Sequence, residues 1–143
     1  MKNSIKLIVS LFFSIAINAN ADVLVSDAWV RANAPGQSVG AAYMSLTSPQ
    51  DSNLFAVESP AAGSVEIHSM TMTNGVMKMR MLENLPLAAG KVEKLAPGGF
   101  HLMLFDLKKP LKAGEQVKFK LSFKDKDNKI TQQEVVLPIK ETN

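Results

Sequence analysis

Histidine and methionine are concentrated in two short segments of this 143-residue chain. The segment HSMTMTNGVMKMRM, residues 68–81, contains one of the two histidines and five of the eight methionines. The second histidine, His101, lies in FHLMLF, and Met103 follows it two positions later. Thioether sulfur is a soft, uncharged donor that selects Cu(I), and imidazole completes such a site while also tolerating Cu(II). The two segments therefore indicate a site for a soft metal ion.

The absence of cysteine narrows the chemistry further. Structural zinc sites use cysteine, histidine and carboxylate, so zinc matches this chain less well than copper. Blue-copper electron transfer requires a cysteine ligand, which excludes an electron-transfer cupredoxin. We also expect no enzyme: Ser69 follows His68 directly, and neighbouring residues of a strand point to opposite faces, which is a poor geometry for a nucleophile and its base.

The first 21 residues have the features of a secretory signal peptide. Lys2 and Lys6 form a basic start, an apolar run covers residues 7–17, and residues 19–21 read Ala-Asn-Ala, a signal-peptidase site. The apolar run is too short to span a membrane. We therefore predict that residues 1–21 are removed after export.

The mature chain is predicted to be a single domain, residues 22–143, without a membrane span. Without the two lysines of the signal peptide, 14 basic residues face 13 acidic ones, so the net charge falls to +1. This balance gives no indication of a nucleic-acid partner. No cysteine follows the signal to carry a lipid, so we expect a soluble periplasmic or secreted protein. We also expect it to be a monomer.

Short runs of alternating or β-rich composition lie between recurrent turn signals. These runs are VLVSDAWV, GAAYMSLTS, FHLMLFDL, VKFKLSF and TQQEVVLPI. Many short strands at this spacing predict an all-β domain, an antiparallel sandwich or barrel. Trp29 and Tyr43 lie within two of the runs and are interpreted as core aromatics rather than site residues.

The pair Asn74-Gly75 predicts a two-residue type I′ hairpin turn. Such a turn pairs Thr73 with Val76, and the register then continues outward from the turn. Because side chains alternate along a strand, one face of this hairpin collects all the sulfur and one imidazole. The residues of that face are His68, Met70, Met72, Met77, Met79 and Met81. His68 and Met79 become diagonal neighbours, roughly 7–8 Å apart at the backbone.

In FHLMLF, His101 and Met103 share one face of a strand, and the two intervening leucines point to the other. The turn Pro97-Gly98-Gly99 comes just before this strand, so the pair is expected near a loop end, where binding sites concentrate. The remaining methionines have a second interpretation, because methionine often fills gaps in cores or forms adaptable hydrophobic contact surfaces. We favour packing or a hydrophobic rim for four of them, namely Met70, Met72, Met77 and Met81.

The combined spacing, His-x10-Met-x21-His-x-Met, resembles that of the periplasmic copper chaperone family PCu(A)C. DAWVRANAPGQSVGAAYMSLTS is similar to the family's N-terminal block, GVMKMR and APGGFHLML to its central blocks, and LKAGEQVKFKLSF to its closing strands. The resemblance implies a cupredoxin-like Greek-key β-sandwich or barrel that holds Cu(I) in an exposed site. It also implies the ligand set, which is His68, Met79, His101 and Met103.

The resemblance further implies delivery of Cu(I) to the copper centre of a respiratory oxidase, of the Cu(A) type. The acceptor is expected to be an apo cytochrome oxidase subunit or another copper-transfer protein. Two other functions remain open on the sequence alone. One is periplasmic copper buffering or resistance with the same site, and the other is a metal-free β-sandwich module whose methionine face binds a protein.

Overall fold

Ten β-strands form the regular structure of residues 22–142, the part of the chain that the computed structural model describes. The strands are β1 (Leu24–Arg31), β2 (Gly40–Thr47), β3 (Ser52–Glu58), β4 (Ser64–Thr73), β5 (Val76–Leu82), β6 (Leu85–Leu87), β7 (Val92–Leu95), β8 (His101–Phe105), β9 (Gln116–Asp125) and β10 (Ile130–Lys140). The predicted signal peptide, residues 1–21, lies outside the described residues. No helix capable of crossing a membrane occurs between residues 22 and 142.

Seven of the strands close into a barrel, which confirms the prediction of an all-β sandwich or barrel. The order around the barrel is β4, β8, β2, β1, β10, β9 and β3, and the pairing of Val57 with Val65 joins β3 back to β4. Every pairing in this ring is antiparallel except that of β1 with β10, where Val30 pairs with Ile139 in the parallel sense. A closed ring with an odd number of strands cannot alternate direction throughout, so one parallel pair is required. The predicted antiparallel barrel thus contains one parallel pair.

The barrel interior is filled by the alternate residues of each strand that point inward. The five runs identified from the sequence correspond to β1, β2, β8, β9 and β10. In β8, Leu102 and Leu104 are fully buried, and burial of each leucine side chain contributes about 1.5–3 kcal/mol. These two leucines anchor β8, so they also fix the position of the residues on its outer face.

Trp29 and Tyr43 are paired neighbours on β1 and β2, with ring centroids 4.8 Å apart. Tyr43 is buried and Trp29 is half-buried, but neither belongs to the cluster of side chains inside the barrel. They pack on its outer surface instead, where the guanidinium carbon of Arg31 lies 5.3 Å from the Tyr43 ring centroid. Burial raises the pKa of the Tyr43 phenol, and the Arg31 charge partly opposes that effect. Both rings therefore serve packing, as predicted, but they do so on the outer surface of the barrel and not in its interior.

The β4–β5 hairpin extends beyond the barrel. β4 pairs with β8 only as far as His68, so from residue 69 onward its pairing in the described chain is with β5 alone. Residues 69–80 are called the hairpin arm below. Residues 71–81 are all exposed, in contrast to the closed barrel from which the arm projects.

Candidate metal centre

The turn of the hairpin arm has the geometry that its sequence predicts. Asn74 and Gly75 have φ values of 52° and 75°, and positive φ at both central residues defines a type I′ turn. Every pair of the predicted register is present, from Thr73 with Val76 to His68 with Met81. Because the pair that flanks a two-residue turn is hydrogen-bonded, the methionine pairs fall at the non-hydrogen-bonded positions. Side chains approach each other more closely at these positions.

The two imidazoles meet across the β4–β8 pairing. His68 is paired directly with His101, and their ring centroids lie 5.6 Å apart with the planes tilted by 43°. Both residues lie on the outer face of the barrel, yet they are only 8% and 5% exposed. The Phe105 ring, with its centroid 6.0 Å from that of His68, covers part of this surface. The two histidines, 33 residues apart in the sequence, are thus direct cross-strand neighbours.

The hydrogen bonds of His68 leave one ring nitrogen available. Its Nε2 lies 2.7 Å from a carboxylate oxygen of Glu66, and an ionised carboxylate only accepts, so Nε2 carries the proton. Its Nδ1 is buried and has no hydrogen-bond partner within residues 22–142. A metal-ligating histidine characteristically donates its other ring N–H to a carboxylate or carbonyl oxygen. The orphaned Nδ1 of His68 therefore fits a metal ligand.

The hydrogen bond of His101 has the same consequence for its other nitrogen. Nδ1 lies 3.1 Å from the backbone oxygen of Gly99, in the turn before β8, and this oxygen only accepts. The proton therefore resides on Nδ1, and the lone pair of Nε2 remains for a metal ion. Each imidazole is thus held in a fixed tautomer by a neighbour two residues earlier in the chain.

The two predicted thioether ligands occupy different surroundings. Met103 lies on the same face of β8 as His101, is paired with Glu66 and is half-buried. Met79 lies on β5, diagonal to His68, and is 46% exposed. Met81 is the direct cross-strand partner of His68 and is 53% exposed. The fold thus places both histidines and Met103 on the barrel and Met79 at the start of the arm.

Other donors are scarce in this region. Nowhere between residues 22 and 142 do three or more His, Cys, Asp or Glu side chains converge as a metal site. The thioethers of neighbouring methionines are further candidate donors to the imidazole pair, and their softness fits a soft ion. Ser69 lies on the opposite face, where its hydroxyl is 3.5 Å from the backbone oxygen of Arg80, so a pairing with His68 for catalysis is absent.

Glu66 was not identified from the sequence as part of the site. A glutamate in a strand reads as a solvent-facing residue, and side chain 66 is indeed 36% exposed. The available signal was its position two residues before His68, because residues i and i+2 of a strand share a face.

Solved structures with the same fold are PCuAC domains. The apo PCuAC domain from PmoF1 matches with a TM-score of 0.67 at 24% identity, covering 85% of this chain and 98% of that domain. Apo-DR1885 from Deinococcus radiodurans matches with a TM-score of 0.61 at 31% identity, covering 99% of this chain and 97% of that one. The fold is thus that of a PCuAC-type β-barrel domain.

The LpqE-like family model matches residues 23–136. The lipoprotein Lxx21020 of Leifsonia xyli subsp. xyli (strain CTCB07) is 35% identical to this chain over 104 residues. The match covers 72% of this chain and 63% of that protein. RP573 of Rickettsia prowazekii (strain Madrid E) is 30% identical over 129 residues, 81% of this chain and 71% of that protein. The chain belongs to the LpqE-like family of PCuAC proteins, which confirms the resemblance seen in the sequence. The match spans less than two thirds of the length of the Leifsonia relative.

Proposed function

We propose that this protein is a periplasmic copper chaperone that binds Cu(I) and delivers it to the copper centre of a respiratory oxidase, of the Cu(A) type. The proposed ligands are Nδ1 of His68, Nε2 of His101 and the sulfur atoms of Met79 and Met103. The observation that carries the proposal is the buried histidine pair, in which one nitrogen of each ring is fixed as a donor and the other is free.

Related proteins support copper as the ion. The PCuAC domain from PmoF2 has been solved with copper bound, although at 20% identity it shares only the fold with this chain. The structure of Cu(I)-loaded DR1885 matches this chain at 33% identity with a TM-score of 0.56, covering 87% of this chain and 85% of that one. The donor types of the present chain are compatible with the same ion, because imidazole and thioether together suit Cu(I).

The distribution of exposure suits transfer rather than permanent storage. Buried imidazoles exclude water from the nitrogen donors, whereas Met79 lies on the exposed arm and remains accessible to an acceptor. Neutral ligands without thiolate also avoid a closed cage, so an incoming ligand can replace one donor at a time. A binding role follows from these features, and they offer no nucleophile for catalysis.

Cu(I) titration combined with X-ray absorption tests the ligand set directly. The proposal predicts one Cu(I) with two nitrogen and two sulfur neighbours in its tightest site. His101→Gln should remove one of the two nitrogen neighbours and weaken the tight site, whereas Glu83→Gln, a change of an exposed residue outside the centre, should leave both nitrogen neighbours and the tight site intact. Coordination by oxygen and nitrogen alone would contradict the proposal.

The recipient is tested by transfer from the Cu(I)-loaded protein. Chaperone function predicts faster loading of an apo Cu(A) domain than of a small chelator of equal affinity. Equal rates for the two acceptors would favour the alternative of copper buffering. Failure to take up Cu(I) at all would favour a metal-free interaction module.

A further inference from the structure

The methionines of the hairpin arm have little to pack against. Met72 and Met77 are 67% and 52% exposed, and both strands of the arm are exposed from residue 71 onward. A two-stranded ribbon has no core of its own. The interpretation of these side chains as core packing therefore does not hold for the tip of the arm.

The two faces of the arm differ sharply in chemistry. One face presents Val76 near the turn and otherwise hydroxyl and basic side chains, namely Ser69, Thr71, Thr73, Lys78 and Arg80. The other presents methionine at every position from Met70 to Met81. Valine and isoleucine are the usual apolar residues of strands, so apolarity alone does not explain this choice. The property that methionine adds is a soft, polarisable sulfur atom.

We propose that Met70, Met72 and Met77 form a second, weaker site for a soft monovalent cation such as Cu(I) or Ag(I). Met72 and Met77 are a direct non-hydrogen-bonded pair, so their Cβ atoms lie about 4.5–5.5 Å apart. Met70 is two residues before Met72 on the same face and diagonal to Met77, within reach of a long side chain. Three methionines thus lie as neighbours on one face near the tip of the arm, within reach of a shared ion.

Weaker binding than at the histidine pair follows from the surroundings. The second site has no imidazole, two of its three methionines are exposed, and Lys78 and Arg80 place positive charge on the opposite face of the same ribbon. Met79, the cross-strand partner of Met70, lies between the two sites. An ion at the tip would therefore reach the buried centre by exchanging one neutral ligand for another, with no change of its charge. The second site uses none of the four proposed chaperone ligands, so it goes beyond the proposed function.

Titration of the protein with Ag(I) alone, followed by the methyl resonances of its methionines, tests the second site. We expect a first equivalent to shift the signals of Met79 and Met103, and a second to shift those of the three arm residues. The triple variant Met70→Leu/Met72→Leu/Met77→Leu should lose the second equivalent and keep the first. Leucine conserves the apolar surface, so the variant removes sulfur and little else. Met44→Leu, which removes a buried sulfur from the barrel, should keep both equivalents.

The outcomes separate the two proposals. If the wild type takes up a single equivalent that shifts only Met79 and Met103, the second site is wrong and the chaperone site stands. If only the signals of Met70, Met72 and Met77 shift, the second site stands and the chaperone ligand set fails. In His101→Gln the arm should still take up Ag(I), which confirms its independence. A second equivalent that binds only with a doubled molecular mass would place the ion between two copies and overturn the intramolecular site.

Discussion

The barrel side of the metal centre and its arm side differ in how firmly the backbone is held. β8 carries His101 and Met103, is paired with β4 on one side and β2 on the other, and has two fully buried leucines on its inner face. β5 carries Met79 and, in the described chain, pairs only with β4. The imidazoles are accordingly less than a tenth exposed, whereas Met79 is 46% exposed.

This difference suggests a division of roles between the two sides. Donors fixed by the barrel hold the ion in a set geometry, because their backbone cannot move without breaking the sheet. A donor on the arm can withdraw at a lower cost, because local opening of an exposed ribbon requires little free energy. In the proposed chaperone, we therefore expect the barrel strands to hold the Cu(I) ion and the arm strand to release it.

Replacement of the two thioether ligands should give the largest effect and tests the comparison directly. Met103→Leu is expected to lower Cu(I) affinity by more than about 100-fold, beyond the usual loss when only a supporting group is removed. Met79→Leu should cost less, about 10-fold or more, because ordering the arm offsets part of what its sulfur contributes. Competition titrations with a Cu(I) chelator measure both values. A larger loss for Met79→Leu would break the comparison. Both variants should keep the fold, within about 1.5 kcal/mol of unfolding free energy.

Removal of the Glu66 carboxylate is expected to have the next largest effect. Glu66→Ala should lower Cu(I) affinity by about 10–100-fold, because His68 loses the partner that fixes its tautomer. Glu66→Gln should lose less, since its amide oxygen can still accept from Nε2. The same titration applied to Glu83→Ala, an exposed carboxylate outside the centre, provides the control. Equal losses for Ala at positions 66 and 83 would remove Glu66 from the site.

Hydrogen exchange should sharpen the comparison in a way that affinity cannot. Without metal, amides of residues 69–80 are expected to exchange with little protection, and those of β8 slowly. One equivalent of Cu(I) links Met79 to the barrel, so arm exchange should slow by about tenfold or more while β8 changes little. Slowing confined to β8 would show that the arm takes no part in binding.

The turn of the arm should give the smallest effect. Gly75→Ala places a side chain at a φ of 75°, which is expected to destabilise the arm by about 1 kcal/mol. Since arm closure contributes to binding, Cu(I) affinity should fall by about fivefold. Gly114→Ala introduces similar strain at a φ of 88° in a loop of the barrel and should leave affinity unchanged. Identical affinities for the two variants would mean that the arm is not coupled to the site.

The hairpin arm could be predicted almost residue by residue from the sequence. An Asn-Gly pair fixes the turn type, the turn fixes the register, and the period of two fixes the faces, so every step is local. The inner and outer faces of β8 followed for the same reason. The five strands found as runs are those with the clearest alternation or β-branched content.

The parts that could not be predicted depend on long-range pairing. Nothing local in β4 or β8 indicates that His68 lies opposite His101, and only the family resemblance brought them together. The short strands β6 and β7, with three and four residues, are too brief to show a period. The parallel pairing of β1 with β10 is a property of ring closure, which no single segment contains.

The ligand set proposed above is neutral, so we expect it to favour a monovalent ion over a hard divalent one. Thioethers and neutral imidazoles supply no charge as ligands, and among residues 22–142 Glu66 is the one carboxylate paired with a histidine. The cost of dehydrating an ion rises with the square of its charge, so a divalent ion would lose about four times as much hydration energy as a monovalent one. A calcium or magnesium ion would therefore lose much hydration energy and gain few contacts with negatively charged groups. Discrimination against such divalent ions thus requires no tight steric fit, because the proposed ligands supply no negative charge to compensate them.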